Sequence, residues 1–132
     1  MAYTASATTK GGRNGRAILA DGGLGLAMGS PKDIGGNGEG HNPEQLFALG
    51  WSSCFGQAIL SLAKKHGLDG QDARVTCSVT LNTPDFTLAA ELKVALPGAD
   101  PVKLKALVEE ANQVCPYSKA TRGNVPVTLT VA

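Results

Sequence analysis

From Val75 to Leu96 the chain alternates between apolar and polar positions. Val75, Cys77, Val79 and Leu81 are separated by Thr76, Ser78 and Thr80, and Phe86, Leu88, Ala90, Leu92, Val94 and Leu96 carry the same period through the next run. A period of two predicts strands with one buried face. Asn82-Thr83-Pro84-Asp85 between the runs is a turn, so the two strands are expected to pair as a hairpin. Before them the period is helical. Leu46, Phe47, Trp51, Cys54, Phe55, Ala58, Ile59 and Leu62 leave almost no polar face, which predicts a helix buried on most sides, in the middle of the domain or its dimer. Asn42 suits its N-cap, Pro43 its first position, and Gln45 stands three residues after the cap. Lys64, Lys65, His66 and Gly67 mark its end.

A second helix follows the hairpin. Asp100 caps it, Pro101 fills its first position, and Leu104, Leu107, Val108, Ala111 and Cys115 form its apolar stripe. Pro116 biases Cys115 away from helical geometry, so the helix should end there. Val125, Val127, Leu129 and Val131 form a last strand, and Pro126 suggests that it starts at a sheet edge. The first forty residues differ. Eleven of the chain's 17 glycines fall between Gly11 and Gly40, with turn signals at Asn14-Gly15, Asp21-Gly22 and Asn37-Gly38. Short strands are expected at Tyr3–Thr9, Arg16–Leu19 and Leu24–Met28. The sum is an α+β domain in which sheets surround a central helix.

Composition narrows the function. The 132 residues suit one domain spanning 1–132. Apolar residues make up 42%, which argues against disorder. Only 17% are charged, against about 25% in an ordinary domain, so surface is expected to be hidden in an oligomer. Twelve basic against 11 acidic side chains give a net charge of +1, which removes the main argument for a nucleic-acid or acidic-membrane partner. The first residues show no basic stretch followed by an apolar one, so no secretory signal is expected. The apolar run from Leu46 to Ala63 carries Ser52, Ser53, Gln57 and Ser61 and reads as a core helix rather than a membrane span. The expected location is the cytoplasm, where three cysteines are thiols rather than a disulfide framework.

Each thiol has a plain alternative to chemistry. Cys77 lies on the buried face of an alternating strand, where a thiol acts as a small hydrophobe. Cys115 ends an apolar stripe. Cys54 is set apart by Ser52, Ser53 and Gln57, which are unusual in a purely apolar core. A free thiol is only a few per cent thiolate at pH 7, and less in an apolar site, so a working Cys54 needs a cation. Arg13 and Arg16, in Gly11-Gly12-Arg13-Asn14-Gly15-Arg16, are candidates, although most arginines on turns are simply solvated. Glu44, in the helix's first turn, complements the helix dipole on the plain reading. Ten residues separate Glu44 from Cys54, about 15 Å on a straight helix. Either an arginine spans that gap with the help of a kink, or Glu44 serves the Cys54 of a second copy, which the low charge content favours.

Other chemistries lack their spacing. His41, His66 and the cysteines form no zinc pattern, so no metal is expected. Gly35-Gly36-Asn37-Gly38-Glu39-Gly40 lacks the features of a phosphate loop. A cysteine hydrolase needs a histidine beside its thiol; His41 and His66 are the two candidates, but His66 lies three turns beyond Cys54 and reads as a helix-end residue, so a hydrolase is not expected.

Four segments together resemble the organic hydroperoxide resistance proteins of the osmotically inducible protein C (OsmC) superfamily. They are the turn from Gly11 to Ala17, the run Asn42-Pro43-Glu44-Gln45-Leu46-Phe47-Ala48, Ser53-Cys54-Phe55, and the stretch from Val114 to Val125 that opens Val-Cys-Pro-Tyr-Ser. The likeness extends from Tyr3 to Val131. It implies an OsmC-like fold, with antiparallel sheets packed around a central buried helix in an intertwined homodimer. It implies that Cys54 is the peroxidatic thiol, Cys115 the resolving one, Arg13 the catalytic arginine and Glu44 its holder. It further implies a thiol peroxidase acting on alkyl or lipid-type hydroperoxides, with no bound cofactor and with a lipoyl-type dithiol on a partner protein as reductant. Phe47, Trp51, Phe55 and Ile59 are then expected to receive the apolar chain of the substrate. The sister branch of osmotically inducible proteins shares the helix and both cysteines but usually lacks the long Cys-Pro-Tyr-Ser run. Two further readings keep the fold without turnover: a peroxide-sensing or ligand-binding module, and a structural dimer with inert thiols. Cys77 and His41 depart from the family pattern.

Overall fold

The computed structural model describes all residues from Met1 to Ala132. They form two compact units, Met1–Leu46 and Phe47–Ala132.

The first unit is a three-stranded antiparallel meander of β1 (Ala7–Lys10), β2 (Arg16–Leu19) and β3 (Gly25–Ala27). Its register runs from Ala7 opposite Leu19 to Lys10 opposite Arg16, and from Arg16 opposite Ala27 to Ile18 opposite Gly25. β1 begins later than the sequence predicts: the last rung is the Ala20 N–H donating to the Ser6 carbonyl at 2.8 Å, and the turn closed by the Gly22 N–H on the Leu19 carbonyl then leads the partner chain away. The loop after β3 returns to it: His41 donates its N–H to the Ala27 carbonyl, and Gly29 donates to the His41 carbonyl, both at 2.9 Å. Two short 3-10 turns, Gly12–Asn14 and Lys32–Ile34, were not expected. Only Gly29 is buried in this unit, and Ile18 and Leu24 keep half of their surface exposed.

The helix α1 (Pro43–Leu62) is continuous, with no break at a kink, and a 3-10 turn extends it to His66. Its start is a capping box: the Gln45 N–H donates to Asn42 Oδ1 (2.9 Å), and the Asn42 N–H donates to Gln45 Oε1 (3.0 Å). The second unit contains most of α1, a sheet of β4 (Arg74–Asn82), β5 (Thr87–Ala95) and β6 (Val127–Val131), and the helices α2 (Pro101–Val114) and α3 (Pro116–Thr121). The alternating face of β5 and the stripe of α2 enclose Trp51, Phe55 and Ile59, with Leu92, Val94, Leu107 and Val108 around them, all 0–1% exposed. By length and composition alone, Pro43–His66 could cross a membrane. Its buried aromatic face is that of a core helix.

The structure departs from the sequence reading in two further ways. β6 runs parallel to β5, from Ala90 opposite Val127 to Val94 opposite Val131, while the other strand pairs are antiparallel. A parallel neighbour needs a long crossover, and α2 and α3 supply it. As Pro126 suggested, β6 lies at the sheet's edge. Pro116 ends α2 as expected but also opens α3. Within one chain, α1 buries one face: Trp51, Phe55, Ala58 and Ile59 point inward, while Leu49 and Leu60 stand 65% and 40% exposed.

Candidate active site

The sequence-predicted residues fall into two groups, one in each unit. In the first, the turn between β1 and β2 carries Arg13. Gly11 opens the turn with φ 83°, and Gly15 closes it so tightly that a Cβ there would lie 1.7 Å from the Lys10 carbonyl oxygen. Arg13 holds Glu44 by a fork: Nη2 donates to Oε1 at 2.8 Å and Nη1 to Oε2 at 3.1 Å. Planar two-bond pairing of this kind fixes the guanidinium's orientation. The Glu44 side chain is 14% exposed and that of Arg13 42%. The carboxylate's hydrogen bonds push the Arg13 pKa up, so its charge is permanent. The capping box sets Glu44 in the first turn of α1, where a carboxylate also meets the positive end of the helix dipole.

In the second group, Cys54 Sγ and Cys115 Sγ stand 3.5 Å apart, with the Cys115 thiol placed to donate. Cys115 is completely buried, whereas Cys54 is half-buried. The separation of 61 residues is closed by local geometry. Pro116 holds Cys115 in an extended conformation (φ −62°, ψ 123°), which makes it both the C-cap of α2 and the N-cap of α3. Burial pushes the Cys54 thiol up. A backbone N–H of Tyr117 opposes that by favouring the anion, while the Cys115 thiol adds to the rise.

An aromatic group adjoins the thiols. The Phe47 ring lies 5.4 Å from Trp51 and meets the Tyr117 ring edge-on at 6.0 Å. Trp51 Nε1 donates to Ser118 Oγ at 3.4 Å. Trp51, Phe55 and Ile59 are at 0% exposure, core residues behind the thiols, while Phe47 keeps accessible surface. Sequence reasoning missed Tyr117 and Ser118 as parts of this site. Their signal was the Cys-Pro-Tyr-Ser run, in which the proline opens a helix directly after Cys115.

Cys77 lies on the inner face of β4 opposite Leu92. Burial, and to a lesser degree Cys115, push it up to about 11. His41 bridges to Met28 through its backbone, and His66 Nε2 donates a 2.7 Å hydrogen bond to the Glu110 carboxylate. No three His, Cys, Asp or Glu side chains are grouped closely enough to hold a metal ion. Chemically, the second unit presents a dithiol one short movement from a disulfide, and the first a fixed guanidinium–carboxylate pair.

Known proteins share this frame. The chain is 45% identical, over 98% of its length and 94% of the relative's, to the organic hydroperoxide resistance protein of Xanthomonas axonopodis pv. citri. It superposes with a TM-score of 0.91 on the crystal structure of an organic hydroperoxide resistance protein from Legionella pneumophila, at 42% identity and covering 98% of this chain and 97% of that one. The organic hydroperoxide resistance protein OhrB of Bacillus subtilis gives a TM-score of 0.83 at 37% identity, covering 98% of each. Residues 36–130, which include both thiols and the whole capped helix, match the OsmC-like protein family, and the chain belongs to that family.

Proposed function

We propose that the chain is a cysteine peroxidase that reduces organic hydroperoxides to alcohols. The observation that carries this is the 3.5 Å contact between one half-buried and one fully buried thiol, in a chain whose relatives are named for organic hydroperoxide resistance. The Cys54 thiolate attacks the terminal peroxide oxygen. The O–O bond breaks, the alkoxide takes up a proton and leaves as the alcohol, and Cys54 is left as a sulfenic acid. The Cys115 sulfur then displaces hydroxide from that sulfenic acid, forming a disulfide and, with a proton, water. An external dithiol of lipoyl type, carried by a partner protein, restores both thiols by two exchange steps and becomes the disulfide itself. No bound cofactor is required.

Burial alone makes Cys54 a poor anion at neutral pH, so the reading assigns Arg13 the role of favouring the thiolate and orienting the peroxide. Glu44 holds the guanidinium's fork. The proposed enzyme is a homodimer in the cytoplasm, in which the Arg13–Glu44 pair of one copy serves the thiols of the other. The outward apolar face of α1 and the uncovered apolar side chains of the first sheet are the surfaces a second copy would cover. Phe47 takes the substrate's alkyl chain, with Trp51, Phe55 and Ile59 as the wall behind it.

The test is consumption of cumene hydroperoxide in the presence of dihydrolipoamide. Multiple turnovers that vanish in Cys54→Ser support the proposal. A single oxidation without turnover would make the protein a peroxide sensor, and an unreactive Cys54 would leave only a structural dimer.

A further inference from the structure

Four residues on one stripe of α1, Phe47, Gly50, Trp51 and Cys54, all face the first turn of α3. They are spaced i, i+3, i+4 and i+7, so they share a helix face. Phe47 and Gly50 both meet Tyr117, the first in an edge-on ring contact and the second at the hydroxyl, while Trp51 meets the Ser118 hydroxyl and Cys54 the Cys115 thiol. The Gly50 contact is a close one with Tyr117, which is 41% exposed. A Cβ there would stand 2.8 Å from the Tyr117 hydroxyl oxygen, 3.2 Å from Cε2 and 3.3 Å from Cζ.

Gly50 needs an explanation. It sits mid-helix, where glycine is a poor choice for stability. The space it leaves is filled by a ring that belongs to the residue two positions after Cys115.

We propose that Gly50 is a positioning residue. By having no side chain, it seats the Tyr117 ring on α1, and the seated ring sets the register of α3 so that the Cys115 sulfur meets the Cys54 sulfur. The inference rests on Cys54 and Cys115 being the working pair. It adds that their approach is fixed by the α1–α3 seam rather than by the two cysteines alone. Gly50 touches no reacting atom and acts only through Tyr117.

Gly50→Ala tests this, because alanine is the better helix former and the variant should fold. Two readouts avoid peroxide. The first is the rate at which diamide, which takes two electrons and two protons from a thiol pair, closes the Cys54–Cys115 bridge. The second is the pH profile of Cys54 alkylation, followed by mass spectrometry. In Gly50→Ala, bridge closure is expected to slow by about tenfold or more, the scale of small misplacements of reacting groups. The Cys54 alkylation profile should depart from that of the wild type, because the seam governs both the Cys115 thiol that opposes the anion and the Tyr117 backbone that favours it, while the urea midpoint of the reduced protein does not fall. Tyr117→Phe removes the nearest clashing atom, so Gly50→Ala/Tyr117→Phe should reverse most of both changes, and Tyr117→Phe alone should change little. Wild-type closure and an unmoved alkylation profile in Gly50→Ala would overturn the proposal, since the ring would then have swung aside without moving the seam. So would a folded double variant with no recovery. If the wild type closes its bridge with diamide but consumes no hydroperoxide, the peroxidase reading fails and the positioning role stands.

Discussion

Closing the Cys54–Cys115 bridge should stabilise the chain measurably. The two sulfurs are 3.5 Å apart and separated by 61 residues. A disulfide between them closes a loop of that size in the unfolded chain and removes about 14 cal/mol/K of its entropy, or roughly 4 kcal/mol at 25 °C. Native-state strain would subtract from this. The existing approach of the sulfurs argues that the strain is small, because closure requires movement on the order of 1.5 Å. With a urea m-value of about 2 kcal/mol/M for a chain of this size, the oxidised form should unfold at roughly 2 M more urea than the reduced form. The assay compares the two forms at one protein concentration, with the bridge mapped by mass spectrometry after treatment with one equivalent of hydroperoxide. Cys115→Ser should show no shift. A mapped Cys54–Cys115 bridge that leaves the midpoint unchanged or lowers it would refute the reasoning, because the native fold would then have to distort to accept it.

Two further perturbations separate chemistry from stability. Arg13→Ala removes an ion pair whose arginine is 42% exposed, so the urea midpoint should move by no more than about 1 kcal/mol-equivalent, while the rate of Cys54 oxidation by cumene hydroperoxide should fall by at least about tenfold; equal, small changes in both would remove Arg13 from the mechanism. For Cys77, burial raises the folded-state thiol from 9.0 to about 11. The folded state therefore holds this proton more tightly, and its stabilising contribution is complete below about pH 9 and is lost as the pH rises through 11. Reduced wild-type protein should accordingly lose more stability between pH 9 and 11 than Cys77→Ala, and Cys77→Ala should still form the Cys54–Cys115 bridge; identical pH profiles would show that Cys77 is not held in its protonated form.

The elements that the sequence revealed are those whose cause is local. The Asn42–Gln45 capping box is a four-residue pattern, and both of its hydrogen bonds form. Pro116 acts on the residue beside it, and Cys115 is extended as predicted. What remained hidden depends on distant partners. Nothing in Val127–Val131 states whether it will run parallel or antiparallel to β5, because the crossover through α2 and α3 decides that. α3 itself is six residues long, too short for an apolar period to appear, and its N-cap is a cysteine rather than a residue with a capping side chain. The fork between Arg13 and Glu44 spans 31 residues and the thiol contact spans 61. Composition could nominate these residues one at a time; pairing them required either the folded chain or the family likeness.

The two thiols also illustrate why neighbouring cysteines need not be equivalent. Both belong to the same apolar surroundings, yet only Cys54 retains surface through which a hydroperoxide can arrive; Cys115 has none. On the peroxidase reading, access therefore sets the order of events before any difference in acidity does: the first oxygen atom is transferred to Cys54, and Cys115 reacts only with the sulfenic acid formed beside it. The same burial that protects Cys115 from direct oxidation works against the Cys54 anion. The Tyr117 N–H offsets part of that cost, and on this reading Arg13 must supply the rest. A site built this way needs its second sulfur close at hand, because a sulfenic acid left exposed to further peroxide proceeds to the sulfinic acid, which a dithiol does not reverse.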